Sequence, residues 1–418
     1  MLIFFALCIL SLIVLIKAKT TSTLRENALL FFYGIFVTSF QLSRLAGALL
    51  YQRKAQQDFI KPNYEPYVSV VVPCKNEEGA IEKTVLMCAG ADYPLEKLEL
   101  IFINDGSTDN TYKVLLNVKK KLRPEFAQRL TIINFEKNRG KRHAMAEGFR
   151  RAKGDIVVQL DSDSYIVPET FRELILPFAD SEIGAVTAHA EPENAEKNFW
   201  TKMQAAYYFV SFRIMKAAEC TFGLVLCCSG CSSSYRKSTV LPILDQWLGE
   251  KFLGLPVTWG DDRSLTSWVI RRGYKTTYVE NAKAMTVVPE NSKQLIKQQL
   301  RWKKSWIINS YLTSRFIFRA DSFFAAAYFF PLAIITILTP FVAVSALIVS
   351  PLQGLWPLYY LIGLILINSL LVLYYRSLSP GNRFWPYFYA WTLFNTFFLS
   401  FLLFWAVIKI QDRGWGTR

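Results

Sequence analysis

Residues 155–163 read DIVVQLDSD, a short run of β-branched residues that ends in two carboxylates. Three further stretches have the same form: residues 67–73 (YVSVVVP), 98–104 (LELIFIN) and 130–135 (LTIINF). Short Val- and Ile-rich runs closed by polar or turn residues are typical of buried strands. Helical patterns over residues 78–89, 110–122 and 141–151 separate them. Strands that alternate with helices predict a doubly wound, mostly parallel α/β sheet with right-handed crossovers.

This sheet indicates where to look for a site, because ligands of open α/β sheets bind beyond the carboxyl ends of the strands. Asp105 ends the second predicted strand, and Asp161 and Asp163 follow the fourth. In extended backbone, residues i and i+2 point the same way, so Asp161 and Asp163 are expected to face one ligand. Carboxylates with diphosphate oxygens suit Mg²⁺ or Mn²⁺. The alternative is that each Asp caps the following helix.

The composition indicates a chain that is part soluble and part membrane-embedded. Of 418 residues, 52% are hydrophobic and 19% are charged, which is too apolar for a wholly soluble protein and too charged for a compact membrane bundle. The net charge of +15 suits a cytosolic domain beside anionic lipids, or an acidic substrate. Nucleic acid is disfavoured as a partner by the apolar segments. The seven cysteines have no regular spacing, which indicates reduced, cytosolic thiols.

Apolar segments lie at both ends of the chain. Residues 1–52 contain two of them and predict a transmembrane hairpin, with a signal peptide as the alternative for the first. Arg44 is expected to extend its side chain toward the membrane surface. Residues 323–376 predict two transmembrane helices, kinked at Pro331 and Pro340.

The charges of the C-terminal region predict its topology. The connector between residues 376 and 383 and the tail 409–418 are basic, and the positive-inside rule places both in the cytosol. Two spans satisfy that condition and three do not, so residues 384–408, rich in Trp and Tyr, are predicted to form an interfacial or re-entrant helix. Residues 62–290 then form the cytosolic domain, and residues 291–320 an interfacial helix.

Three further motifs offer binding chemistry, each with a plainer interpretation. NRGKRHA (residues 138–144) places Lys141 at a helix start, where it contacts a phosphate or forms a solvated turn. WGDDR (residues 259–263) supplies a proton acceptor, or else Asp261 and Asp262 are first-turn acids of a helix. QQLRW puts Gln298, Arg301 and Trp302 on one helix face, which binds a sugar phosphate or lies on the membrane surface.

Five motifs, in their order along the chain, resemble those of the inverting, processive family 2 glycosyltransferases of GT-A fold. They are PCKNE (residues 73–77), NDGSTD, DSD, GDDR and QQLRW. The resemblance runs from residue 68 to the C-terminus and is strongest to class I hyaluronan synthases, through NRGKRHAMA, LDSDSYIVP, FLGLPVTWGDDRSLT, QQLRWKKSW and the terminal WGTR. It implies an enzyme of the plasma membrane with a cytosolic catalytic domain.

The resemblance also implies a role for each motif residue. Glu77 and Asp105 hold the uridine, Asp161 the nucleotide, Asp163 the Mg²⁺ or Mn²⁺ ion, and Lys141 the diphosphate. Asp262 is the catalytic base and Asp261 supports it. Gln298, Arg301 and Trp302 hold the acceptor end and the diphosphate at the channel mouth. Trp415 and Arg418, in WGTR, belong to a gating tail that closes over the donor.

The implied activity is the polymerisation of UDP-sugars and extrusion of the polysaccharide, most of all hyaluronan from UDP-GlcNAc and UDP-GlcA. The alternatives are a chitin or poly-N-acetylglucosamine synthase and a non-processive lipid-linked sugar transferase. Two departures bear on this choice: SGCSSSYR (residues 229–236) replaces the Ser-Gly-Pro run usual in hyaluronan synthases, and Asn104 stands where Asp is frequent. The expected partners are UDP-sugars, the growing polysaccharide and membrane lipids, with the protein a monomer or homo-oligomer.

Overall fold

The structure is a computed structural model that describes residues 2–20, 28–55, 64–353 and 358–412. The strands are β1 (Val68–Cys74), β2 (Leu98–Asp105), β3 (Leu130–Phe135), β4 (Ile156–Gln159), β5 (Ser164–Ile166), β6 (Ile183–Pro192), β7 (Ser233–Arg236), β8 (Lys251–Phe252), β9 (Leu255–Pro256) and β10 (Lys275–Thr286). The helices up to the first membrane helix are α1 (Leu2–Thr20), α2 (Ala28–Ala55), α3 (Ile81–Ala89), α4 (Thr111–Lys121), α5 (Pro124–Ala127), α6 (Lys141–Arg151), α7 (Thr170–Ile175), α8 (Phe199–Val210), α9 (Ala217–Cys220), α10 (Lys237–Val240), α11 (Leu244–Leu248), α12 (Asp261–Arg271), α13 (Ser292–Ser314) and α14 (Ile317–Ala320).

The C-terminal helices are α15 (Ser322–Phe324), α16 (Phe330–Val344), α17 (Ser350–Leu352), α18 (Leu358–Leu378), α19 (Tyr387–Phe397) and α20 (Leu402–Ile408). Helical turns of π type cover Ser211–Lys216, Ala325–Phe329 and Ser345–Val349.

Eight strands form the central sheet in the order β3-β2-β1-β4-β7-β6-β10-β5. The pairs β1–β2, β2–β3, β1–β4 and β6–β10 are parallel. β7 is antiparallel to both of its neighbours, and β5 is antiparallel to β10. The sheet is therefore mostly parallel, as the alternating pattern of strands and helices predicted.

Both faces of the sheet are buried, which accounts for the continuous apolar runs of the first strands. Successive residues of β1 alternate between two cores: Val70 and Val72 lie in one, and Val71 lies in the other. Helices α3 and α4 supply Val85 and Leu115 to the first core, whereas α6 packs on the opposite face. A strand buried on both faces needs no polar alternation.

The first four predicted strands match β1 to β4 within one residue at each end. The strands β5, β6, β7 and β10 were not predicted. β7 reads SSYR and contains no apolar run, because small hydroxyl side chains fill its tightly packed position in the sheet. β10 is irregular, since its register with β6 shifts between Val279 and Lys283.

Two helices in the described part of the chain are long and apolar enough to cross a membrane, Ser322–Leu352 and Tyr360–Leu378. The prolines do not end the first of them, which instead widens into π-helical turns at Ala325–Phe329 and Ser345–Val349. α1 contains a shorter apolar helix, Phe4–Leu15. The predicted division of the chain into domains stays a prediction.

The last apolar segment bends rather than running straight. Tyr387–Phe397 and Leu399–Ile408 meet at 41°, so they form a third span only if the bent pair is counted as one. Such a break suits either a broken span or the re-entrant segment that the charge pattern predicted.

The expectation for Arg44 was wrong. Its side chain does not extend to solvent but is 2% exposed, with the guanidinium over the rings of Phe40 and Tyr328. The physical reason is that α2 packs closely on α9, where a Cβ atom at Gly47 would lie 2.9 Å from the Ala218 Cβ. This close packing of α2 on α9 encloses the side chain of Arg44, which lies one helical turn from Gly47.

Candidate active site

Lys141 joins the DSD and GDDR motifs. Its Nζ lies 2.6 Å from Asp161 Oδ1 and 3.1 Å from Asp261 Oδ2, at the start of α6. Burial disfavours the charge on Lys141, but the Asp161 and Asp261 carboxylates outweigh it and hold the pKa of Lys141 above its usual value. Burial likewise opposes the charge on Asp261, and Lys141 and Arg142 nevertheless hold the pKa of that carboxyl below its usual value. Lys141 and Asp261 are therefore both charged in the neutral range.

Gly230 joins the same two motifs through its backbone. Its carbonyl accepts hydrogen bonds from the Asp161 N–H at 3.0 Å and from Gln159 Nε2 at 3.0 Å. Its own N–H donates to Asp262 Oδ2 at 3.4 Å. Gln159 Nε2 also donates to Asp161 Oδ1 at 2.9 Å. The two peptide groups that flank Gly230 thus fix the spacing between Asp161 and Asp262.

Asp262 sits in the first turn of α12, beside the cysteine loop (residues 225–231). Its Oδ1 accepts the Arg263 N–H at 2.7 Å, and the Cys227 thiol donates to Oδ2 at 3.6 Å. Burial, followed by the Asp262 charge, raises the pKa of Cys227 to about 12, so the thiol stays protonated and remains a donor. The two acids occupy the first turn of α12, as the plainer interpretation of GDDR predicted, and the role of Asp262 as proton acceptor stays a prediction.

Asp105 shapes the turn that leads into Lys141. The carboxylate is 3% exposed and accepts the backbone N–H groups of Arg139 at 2.7 Å and Gly140 at 3.0 Å. Glu77 is half-buried and lies in a neighbouring loop, where its own backbone N–H donates to Thr111 Oγ1 at 2.8 Å. The uridine contacts expected of Glu77 and Asp105 stay predictions.

The argument that placed Asp161 and Asp163 on one face was wrong, because the segment is not extended. The Ser164 N–H donates to the Asp161 carbonyl at 3.0 Å and closes a turn between β4 and β5. Asp161 faces Lys141, whereas Asp163 lies near the Tyr208 phenol. The pKa of Tyr208 is raised mainly by burial and further by the nearby Cys231, Tyr207 and Asp163, whereas the positive charge of Arg301 lowers it.

No group of three or more His, Cys, Asp or Glu side chains in the described part of the chain could hold a metal ion, so a divalent ion at the partly exposed Asp163 would need phosphate and water ligands as well. Hard carboxylate oxygens suit Mg²⁺ and Mn²⁺, and in nucleotide sites one or two carboxylates bind such an ion together with phosphates and water. Asp161, in contrast, is already held by Lys141.

The α13 face lies on the same side of the site. The Trp302 ring centroid is 6.5 Å from that of Tyr208, and Arg301 is near enough to act on the same phenol. Gln298 Oε1 is buried and has no hydrogen-bond partner among the described residues. The structure therefore brings Gln298, Arg301 and Trp302 to the edge where Asp163 lies.

A small cavity, partly open to solvent, lies next to Arg263 between α13 and the apolar helix Ser322–Leu352. Its polar wall is formed by Arg263, Asn309, Ser310 and Thr313, its aromatic wall by Trp306, and its apolar wall by Leu226, Phe329, Leu332 and Ala333. Asn309 is 1% exposed, and its Oδ1 has no hydrogen-bond partner in the part of the chain that the structure describes. An aromatic ring beside hydroxyl and amide groups is a surface that suits a sugar.

The sequence analysis did not single out Gly230 or Asn309. Gly230 lies inside SGCSSSYR, which was noted only as a departure from the pattern of hyaluronan synthases, and Asn309 lies beyond the QQLRW motif on α13. The one available signal for Gly230 was a glycine next to polar residues shortly before a strand.

Asp412, the last residue that the structure describes, contacts the residue before the GDDR motif. Trp259 Nε1 and Lys304 Nζ each donate to the Asp412 carbonyl at 3.2 Å. Trp415 and Arg418, predicted to act in a gating tail, lie outside the described residues.

The fold is also found in a solved glycosyltransferase. The chain superposes on a mannosyltransferase, PcManGT from Pyrobaculum calidifontis in complex with GDP-Man and Mn²⁺, with a TM-score of 0.58 at 20% identity, over 91% of this chain and 99% of that one. This similarity confirms the GT-A-like fold.

Sequence comparisons give closer relatives. The chain is 29% identical to a hyaluronan synthase of Streptococcus pyogenes over 92% of its own length and 90% of the relative's. It is 34% identical to an N-acetylglucosaminyltransferase of Neorhizobium galegae over 59% of its length and 56% of the relative's. Family models for glycosyl transferase family 2 and glycosyl transferase family group 2 match residues 69–240 and 156–409. With more than half of its length matched by the second model, the chain belongs to glycosyl transferase family group 2.

Proposed function

We propose that this glycosyltransferase is an inverting, processive polysaccharide synthase of the plasma membrane that uses UDP-sugars. The observation that carries the proposal is the Lys141 bridge, which brings Asp161 together with Asp261 and its neighbour Asp262. Similarity to a hyaluronan synthase along almost the whole chain supports the same activity.

The donor occupies the carboxyl edge of β1, β2 and β4. Glu77, Asp105 and Asp161 hold the uridine nucleotide, and Lys141 faces its diphosphate. A lysine whose pKa is raised by two carboxylates stays cationic at neutral pH, so it meets the diphosphate with a full charge. Mg²⁺ or Mn²⁺ at Asp163, when bound, neutralises charge on the departing UDP.

Asp262 removes the proton of the acceptor hydroxyl. The hydroxyl oxygen then forms a bond to the anomeric carbon while the bond from that carbon to the UDP oxygen breaks, and the configuration inverts. Asp261 supports Asp262 by keeping Lys141 in place. The hydrogen bonds from Arg263 N–H, Gly230 N–H and the Cys227 thiol orient the Asp262 carboxylate.

The acceptor lies against α13, where Trp302 stacks on a sugar and Gln298 and Arg301 hold polar groups. The cavity that starts at Arg263 then takes the units already added. A chain held there stays bound between additions, which is what processive synthesis needs. Membrane helices on the far side of this cavity continue the path out of the cytosolic domain.

The product that the similarity favours is hyaluronan, made from UDP-GlcNAc and UDP-GlcA. A second candidate is a chitin or poly-N-acetylglucosamine synthase. It is favoured by 34% identity to an N-acetylglucosaminyltransferase, a higher value over a shorter alignment. SGCSSSYR, which includes Gly230 and Cys231 at the centre of the site, is the segment expected to decide between them.

The test is release of UDP by the purified protein in detergent with Mg²⁺ or Mn²⁺. It compares UDP-GlcNAc alone, UDP-GlcA alone and both together. Sustained release only with both, giving a polymer that hyaluronidase degrades, supports a hyaluronan synthase. Sustained release with UDP-GlcNAc alone supports the homopolymer, and no release with any UDP-sugar contradicts the proposal.

A further inference from the structure

A buried hydrogen-bond chain links a membrane helix to the cysteine loop. Tyr328, in the π-helical turn of the first membrane helix, donates its hydroxyl to Glu219 Oε1 at 2.6 Å. Glu219 Oε2 accepts the backbone N–H of Leu226 at 3.0 Å. Glu219 is 8% exposed and Tyr328 is 2% exposed, so water does not compete for these bonds.

The other end of the loop touches Asp262. Leu226 is followed by Cys227, whose thiol contacts Asp262 Oδ2 at 3.6 Å, and Gly230 N–H reaches the same oxygen at 3.4 Å. The N–H of Cys228 donates to Thr266 Oγ1, one turn further along α12, at 2.9 Å. The contacts of Asp262 with Cys227 and Gly230 therefore depend on the position of the loop backbone at Leu226.

An alternative role for Glu219 is to neutralise the buried charge of Arg44, but this role alone does not explain where the Glu219 carboxylate lies. Arg44 lies over the Tyr328 ring at 3.1 Å, but its Nε and Nη1 atoms are buried and have no hydrogen-bond partner among the described residues. The two oxygens of Glu219 are directed at Tyr328 and Leu226 instead. A carboxylate that served only to balance the guanidinium would bind it directly, since a buried unpaired charge is costly.

We propose that Glu219 and Tyr328 are positioning residues for sugar transfer: they seat the cysteine loop so that Asp262 is aligned with the acceptor hydroxyl. The inference rests on the proposed function, in which Asp262 is the base. A misplacement of about 1 Å in a reacting group lowers the rate by about 100-fold, so a loosened loop slows the chemical step. Of the proposed donor-binding residues, Asp161 contacts this loop, at Gly230, but Lys141 and Gln159 also hold its carboxylate, so donor binding is expected to stay unchanged.

The test compares two tyrosines whose hydroxyl groups each make one hydrogen bond that involves the helix Ser322–Leu352: Tyr328 bonds Glu219 on α9, and Tyr33 bonds Thr339. Tyr33 on α2 hydrogen-bonds Thr339 on α16 at 2.8 Å and has no bond to the loop, so Tyr33→Phe is the matched control for Tyr328→Phe. Tyr328→Phe is expected to lower kcat by about 10-fold to 100-fold, with unchanged donor KM and UDP affinity. Tyr33→Phe is expected to keep kcat, while thermal unfolding shifts similarly in both variants.

Glu219→Asp gives a second, independent measurement. It keeps the negative charge near Arg44 but shortens the side chain, so that the carboxylate no longer spans Tyr328 and Leu226. The same loss of kcat is expected. Equal kcat in wild type, Tyr328→Phe and Glu219→Asp overturns the inference while leaving the proposed function in place, whereas a wild type that transfers no sugar contradicts the proposed function itself. A rise in donor KM with unchanged kcat also overturns the inference.

Discussion

Gly230 lies against the Asp161 carboxylate so closely that a Cβ atom at position 230 would be 2.9 Å from Asp161 Oδ2. The carboxylate is held in place by Lys141 and Gln159 and has little room to move away. Gly230→Ala is therefore expected to displace Asp161 or the peptide that contacts Asp262, and to lower kcat/KM by about 10-fold or more. Steady-state UDP release measures this effect.

The control for that variant is Gly381→Ala, because nothing lies within 4 Å of a Cβ atom at position 381. It is expected to leave both kcat and KM at wild-type values. A Gly230→Ala enzyme with wild-type kcat/KM would show that the loop adjusts freely and does not fix the spacing.

Replacing Asp262 by Asn tests the assignment of the base. The substitution keeps the size of the side chain and removes the proton acceptor, so turnover is expected to fall by about 10² to 10⁴. UDP affinity, measured by calorimetry, is expected to stay within about twofold, because the nucleotide contacts lie on the other side of Lys141. Retention of more than about a tenth of the wild-type rate would assign the base elsewhere.

Removing the Lys141 charge tests the electrostatics of the centre. Burial raises the pKa of Asp261, but Lys141 and Arg142 at present lower it below its ordinary value of 3.8. The charge on Asp261 is thus present above that value and is lost as the pH falls. In Lys141→Met burial remains while one cation is gone, so the pKa of Asp261 rises.

The acid limb of the pH–activity profile is accordingly expected to move to higher pH in Lys141→Met. Donor KM is expected to rise by about 10-fold, since a charge-assisted contact to the diphosphate is lost. Lys293→Met, at an exposed position on α13, serves as control. An unchanged acid limb would show that Lys141 does not set the ionisation of Asp261.

The sequence predicted the part of the fold that rests on local patterns. β1, β2 and β4 are buried on both faces and are therefore rich in Val, Ile and Leu, and the edge strand β3, although only partly buried, has a similar composition, so all four are recognised without tertiary information. β7 and β10 could not be predicted in this way. The serines of β7 are buried only because the neighbouring strands pack close around them, and the register shift in β10 depends on its partner β6.

The site was predicted only in part, for a similar reason. Motif residues such as Lys141 and Asp261 are identified one at a time, but their separation of 3.1 Å depends on how α6 and α12 meet. Two expectations were overturned for different reasons: a local backbone turn at Asp161 replaces the extended segment, and the packing of α2 on α9 buries Arg44. The contacts of Gly230 involve its backbone, which no side-chain motif encodes.

The cavity next to Arg263 leads to a prediction about product length. Trp306→Ala removes the aromatic wall, so a retained chain binds less tightly and dissociates earlier. The product is expected to be shorter, by electrophoresis or light scattering, with an initial rate of UDP release within about threefold of wild type. Ile296→Ala, at an exposed position of the same helix, is expected to give wild-type product lengths. Equal lengths in both variants would place the product path elsewhere.

The contact of Trp259 with Asp412 predicts how the chain end influences the site. Trp259 Nε1 donates to the Asp412 carbonyl at 3.2 Å and directly precedes Gly260, at the start of the GDDR motif. Trp259→Phe removes this donor and leaves the Lys304 contact to the same carbonyl, so the chain end is held by one hydrogen bond fewer. If the residues after Asp412 close over the donor, donor KM is expected to rise by about 3-fold to 10-fold.

Trp268→Phe is the matched control, because it loses an indole hydrogen bond to Glu250 and none to Asp412. Three results together would assign the effect to the tail. Donor KM rises in Trp259→Phe but not in Trp268→Phe, it rises equally when residues 413–418 are deleted, and it rises no further when Trp259→Phe and the deletion are combined. Additive effects would mean that Trp259 acts on the GDDR motif directly.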